Sequence, residues 1–151
     1  RARERDVPRS VRVELPKAKY VAQIGTHQSF GQTKSVSLDI LPWRPTFLVL
    51  SDRPLNSPIV EPINTAMKQG ETLNLRAQVP DATGMHALKL RVTTPTGEPS
   101  PWFDRTIITA PDGSTNIRLK IAFNELPGTW KVELSDLYTG KSTVTDLQIV
   151  R

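Results

Sequence analysis

Cysteine is absent from the 151 residues, which removes disulfides, thiolate nucleophiles and thiolate metal sites together. Histidine is nearly absent: His27 and His86 stand alone, and two isolated imidazoles without cysteine do not make a zinc site. No apolar run approaches the roughly 20 residues that a helical membrane span requires, and the longest compact cluster, Thr46-Phe-Leu-Val-Leu50, has the length of a strand. No stretch places apolar residues at i, i+3, i+4 and i+7 between caps, so almost no helix is expected. A phosphate-cradling glycine loop is also lacking, since Gly25-x5-Gly31 has no following Lys-Ser/Thr. Neither a metal nor a cofactor is expected.

Catalytic constellations fare no better. A nucleophilic triad needs a serine or cysteine beside a base that an acid orients. His27 lies two residues from Ser29 in a turn-like stretch without a nucleophile elbow, and His86 opens a strand. Glycoside hydrolysis needs two carboxylates about 5–10 Å apart in one cleft, whereas Asp104, Glu133 and Asp136 read as surface charges. Asp112, Ser114 and Asn116 can offer oxygens to calcium from one turn, but Asp-Gly-Ser after a proline is what a hairpin requires. The chain is therefore read as non-catalytic.

What the sequence has is punctuation and alternation. Thirteen prolines and eight glycines recur every several residues, and between them apolar side chains follow the period of two that buries one face of a strand. Val11, Val13 and Leu15 alternate with Arg12 and Glu14; Tyr20, Ala22 and Ile24 form a second candidate; Val36, Leu38 and Ile40 form a third. Gly25 to Gly31 reads as a connecting turn, and Phe47 to Leu50, apolar throughout, as a strand covered on both faces. Residues 51–62 carry three prolines with polar spacers, a composition that favours a semi-rigid extended linker.

Seven further strand candidates follow, at about 59–66, 71–79, 86–94, 102–109, 115–123, 128–136 and 141–150, spaced as in a sandwich of two antiparallel sheets. Four have clear inward stripes: Leu73, Leu75, Ala77 and Val79; Leu88, Leu90 and Val92; Ile117, Leu119, Ile121 and Phe123; Trp130, Val132 and Leu134. In 102–109 the adjacent Ile107 and Ile108 blur the phase, as in an edge strand or bulge. Thr96-Gly97, Asp112-Gly113 and Thr139-Gly140 place glycine where positive φ is needed between strands. The expected fold is all-β: a small N-terminal antiparallel β unit (1–52), a Pro-rich linker (53–62) and a seven-stranded immunoglobulin/fibronectin-III-like sandwich (63–151).

Charge divides along the same line. Residues 1–58 hold ten Lys/Arg against five Asp/Glu, and residues 59–151 hold ten of each. Arg1, Arg3, Arg5, Arg9 and Arg12 form a basic leading arm, interrupted by Glu4 and Asp6. Such an arm can grip phosphates, but a solvated linker is the plainer reading, and no nucleic-acid partner is expected. The opening Arg-Ala-Arg-Glu-Arg shows neither an initiating Met nor an apolar signal stretch, and a piece of a longer protein is expected.

The nine aromatic residues are the remaining candidates for function, because a planar side chain can stack on a sugar ring with little entropy loss. Trp130 is in phase with Val132 and Leu134 and belongs to the core. Trp102 and Phe103 after Pro-Ser-Pro, and Trp43 between Pro42 and Pro45, are the candidates for a ligand-binding surface; packing between units is the plainer alternative.

Two stretches carry a family likeness. Gly70-Glu-Thr-Leu-Asn-Leu-Arg-Ala, Leu90-Arg-Val-Thr-Thr-Pro-Thr-Gly and Leu126-Pro-Gly-Thr-Trp-Lys-Val-Glu-Leu-Ser-Asp-Leu-Tyr-Thr-Gly140 resemble the C-terminal accessory sandwich of large bacterial glycoside-hydrolase-like proteins of the β-galactosidase type. Lys19 to Leu50 is similar to the β-region that precedes it. The same Gly-Glu-Thr, Pro-x-Gly and Pro-Gly-x-Trp succession also resembles macroglobulin-like domains of bacterial α2-macroglobulins. The first resemblance implies a non-catalytic accessory region of an exported, extracellular or periplasmic protein, whose partners are the rest of its own polypeptide and a polysaccharide. The second implies a unit of a protease trap. Neither family's catalytic motif occurs here.

Overall fold

In a computed structural model, which describes residues 7–64 and 66–151, the described residues form three sheets and a 3-10 turn. Arg1, Arg3 and Arg5 of the basic arm lie outside the described residues.

The first sheet has the order β2-β1-β3, with β1 at Arg9–Gln23, β2 at Gln28–Ile40 and β3 at Leu48–Ser51. The two stretches expected as separate strands before Gly25 are one strand, β1, whose pairing with β2 shifts register between Glu14 and Lys19. Pro16 falls in that shift, where a missing N–H costs no ladder bond. Val21, Val36 and Leu38 form the small core of this sheet, flanked by half-buried Val13, Leu15, Phe30, Ile40 and Leu48.

The connecting turn is shorter than Gly25 to Gly31. It spans residues 24–27, while Gly31 lies inside β2 at φ 68° beside a second register shift, where Phe30 is the extra residue. The expectation that Phe47 to Leu50 is covered on both faces is also corrected. Phe47 and Leu50 are exposed, and Ser51 is buried, because a short strand at the edge of a small sheet has nothing stacked on its outer face.

The remaining strands are β4 (Ile59–Pro62), β5 (Ala66–Lys68), β6 (Thr72–Gln78), β7 (Ala87–Thr93), β8 (Arg105–Ile108), β9 (Ser114–Lys120), β10 (Gly128–Asp136) and β11 (Ser142–Val150). They form a sandwich of a three-stranded sheet, β4-β6-β9, and a five-stranded sheet, β5-β11-β10-β7-β8. The expected 59–66 strand is therefore two short strands in opposite sheets. β4 pairs antiparallel with β6, and β5 pairs parallel with β11, so the larger sheet is mixed. β4 also lies within residues assigned to the linker; Pro62 is tolerated there because β4 is an edge strand.

The four inward stripes are buried as the alternation requires, with Phe123 the exception. Eighteen buried residues form one continuous core, centred on Trp130, Leu75, Leu90, Leu119 and Val132. Trp130 meets Phe103 edge to face at 6.1 Å between ring centroids, and its Nε1 donates to the Leu126 carbonyl at 2.8 Å. Every buried side-chain nitrogen or oxygen among the described residues has a hydrogen-bond partner, as a stable interior demands. β8 is an edge strand, which accounts for its ambiguous phase: Ile107 packs on the core and Ile108 is exposed.

Several contacts join the first sheet and its following segment to the sandwich, among them a hydrogen bond from Lys141 Nζ to the Leu55 carbonyl. The His27 ring at the tip of the β1–β2 hairpin lies against the Cα of Gly140, where any Cβ would collide with it. Asn56 Nδ2 donates to the Pro80 carbonyl at 3.3 Å and to Asp81 Oδ2 at 3.1 Å.

Candidate functional site

The three aromatic candidates occupy three different environments. Pro101–Phe103 form a 3-10 turn before β8. With three residues per turn, successive side chains diverge by about 120°, so the two adjacent rings cannot share a face. Phe103 is 2% exposed and closes the core against Trp130, whereas Trp102 is 83% exposed. Burying Phe103 holds Trp102 outside. The expectation that Phe103 helps to form a ligand surface is thereby corrected.

Trp43 is 88% exposed and has φ 64°. Arg44 N–H donates to the Leu41 carbonyl at 3.3 Å, which closes a turn with Pro42 at its second position and Trp43 at its third. Glycine normally fills that third position, since a side chain at positive φ is strained. Trp43 stands in the β2–β3 connection and lines no surface with Trp102.

The ring that does accompany Trp102 is Phe123, which alternation assigns to the core. β9 ends at Lys120, Ile121 is still inward, and the chain then turns through residues 122–125, with Glu125 N–H on the Ala122 carbonyl at 3.3 Å. The turn carries Phe123 out of phase, and the residue is 81% exposed. Its ring rests on Gly70, at φ 86°, where an added Cβ would strike the ring. Gly70 N–H is itself held by the Ile121 carbonyl at 3.0 Å. Trp102, Lys120, Ile121, Ala122, Phe123 and Asn124 line one groove of about 560 Å3.

A second constellation lies at the end of the sandwich nearest the first sheet. Asp136, read from sequence as a surface charge, is fully buried. Its Oδ2 contacts His86 Nδ1 at 3.2 Å and accepts from Thr139 Oγ1 at 3.1 Å, and its Oδ1 accepts from Tyr138 N–H at 3.0 Å. The His86 ring also packs on Tyr138, 5.3 Å between centroids. Asp136 ends β10, where the inward phase of Trp130, Val132 and Leu134 continues onto a carboxylate. That phase was the signal available in the sequence. The carboxylate gathers the turn that presents Gly140 to His27, and His86 and Tyr138 line a cavity of about 180 Å3 with Val49, Ser51 and Asn56.

Of the carboxylates read as surface charges, Asp104 is exposed and Glu133 half-buried. Asp112 turns one carboxylate oxygen onto its own hairpin. Its Oδ1 accepts from Ser114 N–H at 2.9 Å and Ser114 Oγ at 2.7 Å, and these bonds hold its carboxyl below the usual range. No cluster of three or more His, Asp or Glu able to hold a metal ion occurs among the described residues.

No protein-family model and no curated protein matches the chain. Among solved structures it is similar to Salmonella alpha-2-macroglobulin, at 17% identity and a TM-score of 0.48, covering 97% of this chain and 12% of that one. It is similar to a β-glycosidase from Bacteroides vulgatus at 12% identity and a TM-score of 0.43, with 95% and 25% coverage. An alkylpurine DNA glycosylase from Pseudomonas fluorescens overlaps at 12% identity and a TM-score of 0.44, with 64% and 31% coverage. The chain thus spans less than a third of the length of each. Likenesses this distant bear on neither activity nor ligand.

Proposed function

We propose that the chain is a non-catalytic accessory region of a larger exported, carbohydrate-active protein. Its units are a first β sheet, a proline-rich connection and a sandwich that begins at Ile59, and their task is mechanical: to hold neighbouring parts of the polypeptide at a set distance and angle. The observation that carries this reading is the seating of His27 on Gly140. A hairpin tip packed on a turn that a buried carboxylate fixes from behind makes two small β units act as one spacer. The resemblance of residues 70–77, 90–97 and 126–140 to accessory sandwiches of β-galactosidase-type proteins agrees with it.

Backbone 15N relaxation of the chain tests the idea. One rotational correlation time shared by both units is expected. Gly140→Ala, which adds a Cβ both at φ 72° and against the imidazole, should separate them into two. Two independent correlation times in the unaltered chain would end the spacer reading.

A second reading is favoured by a separate observation, the exposure of Trp102 and Phe123 along one groove. Exposed rings of this kind stack on sugar faces, and the accessory region then also binds glycan. Trp102→Ala should weaken saturable glycan binding roughly tenfold to a hundredfold while leaving the melting temperature nearly unchanged.

A further inference from the structure

We propose that the Trp102–Phe123 groove takes an acidic polysaccharide, one whose sugars carry carboxylates; this rests on the glycan-binding reading and names its ligand class. The rings are preorganised by unrelated means. Burial of Phe103 anchors the backbone that directs Trp102 outward, and a turn lays Phe123 on Gly70. Holding the rings in place before binding removes an ordering cost that a flexible surface would carry. Asn124, also in the lining, adds an amide that can bond a sugar hydroxyl.

Charge selects among glycans. Lys120 lines the groove, and Arg118 lies two residues before it on the same outward face of β9. Arg105 reaches across from β8: its Nη1 donates to the Arg118 carbonyl at 3.4 Å and its Nε to the Phe103 carbonyl at 3.2 Å. Three cations therefore run along the side where the edges of the two sheets face each other. Among the described residues, none of the three is in an ion pair. Lys120 is the one charged residue in the lining itself, while Asp104, two residues after Trp102, and Glu71 and Glu125, near Phe123, lie outside it.

Aromatic rings beside cations also suit single-stranded nucleic acid. That ligand demands a broadly basic surface, because most of its affinity comes from phosphates. Residues 59–151 carry ten cations and ten anions, so the positive strip is local, and spaced carboxylates on a sugar chain fit it better.

The test is calorimetric titration of the whole chain with oligogalacturonate, alginate and hyaluronan oligosaccharides, with methyl-esterified oligogalacturonate, and with a single-stranded oligonucleotide. Saturable binding to at least one acidic glycan is expected, weakened roughly tenfold to a hundredfold by Trp102→Ala or Phe123→Ala. Lys120→Gln and added salt should weaken it less, and esterification should weaken it at least as much as Lys120→Gln. Because Trp102 is exposed, its variant should keep the melt of the parent, so loss of binding is not loss of fold. Equal affinity for the esterified chain, with Trp102 dependence intact, would overturn the acidic class and leave the glycan reading standing. No response to any glycan would overturn both. Tighter, Trp102-dependent binding of the oligonucleotide would replace the polysaccharide with nucleic acid.

Discussion

The sandwich and the first sheet obey the same strand periodicity, yet they solve burial in different ways. The sandwich stacks two sheets and gathers eighteen buried residues into one core. Among the described residues the first sheet is a single three-stranded layer built on one long hairpin, and it buries Val21, Val36 and Leu38 with five half-covered neighbours. Alternation therefore specifies a face but not how well that face is covered; coverage comes from topology. A unit with so little core draws stability from whatever it touches, and here that includes the turn at Gly140.

The strongest way to break the comparison is to empty the larger core. Trp130→Ala removes the ring that meets Phe103 and the indole bond to Leu126, and a loss of about 3–5 kcal/mol is expected, read from chemical denaturation. Retained stability in that variant would mean that the sandwich core is far more redundant than its packing implies. A smaller effect should follow from Leu38→Ala in the first sheet, about 2 kcal/mol. Hydrogen exchange should show that loss in β1 and β2 while β6, β7 and β10 keep their protection. Equal loosening of both regions would show them to unfold as one.

The smallest effect is electrostatic. Asp52, just after β3, is held below the usual carboxylate range by hydrogen bonds from Lys19 and then Lys17, and Lys17 is raised in return, chiefly by its bond to Asp52. Lys17 Nζ lies 2.9 Å from Asp52 Oδ1. A lowered folded-state pKa stabilises the fold at pH above the ordinary Asp value of about 3.9, and the contribution disappears as pH falls through the lower folded value. Exchange rates in β1 near Lys19 should rise across that acid window, while those in β10 should not respond to this pair. Because the groups are exposed, salt should blunt the effect.

Most of the sandwich was legible in the sequence, since Leu73, Leu88, Ile117 and Trp130 each begin an unbroken alternation that a covered face explains. The errors fall where alternation ends. Phe123 follows the stripe of β9 in sequence, but the backbone has already turned. Phe103 and Trp102 sit in a 3-10 turn, where neighbours point apart by a third of a circle instead of to opposite faces. Asp136 keeps the inward phase of β10, and a charge at such a position is admissible only with partners that come from residues 86, 138 and 139. Such partners are a fact of tertiary structure. The candidate groove was half legible: Trp102 was picked out by its proline-rich surroundings, whereas its companion ring was hidden by the rule that served elsewhere.

The parallel pairing of β5 with β11 has a mechanical consequence. Ala66, Met67 and Lys68 lie beside Gln148, Ile149 and Val150, so strands near the two ends of the sandwich run side by side in the same direction. Tension applied at those ends drives the strands past each other and loads their hydrogen bonds together, whereas a hairpin pulled from its open end would lose them one at a time. The sandwich is thus built to resist stretching along the chain more firmly than peeling across it.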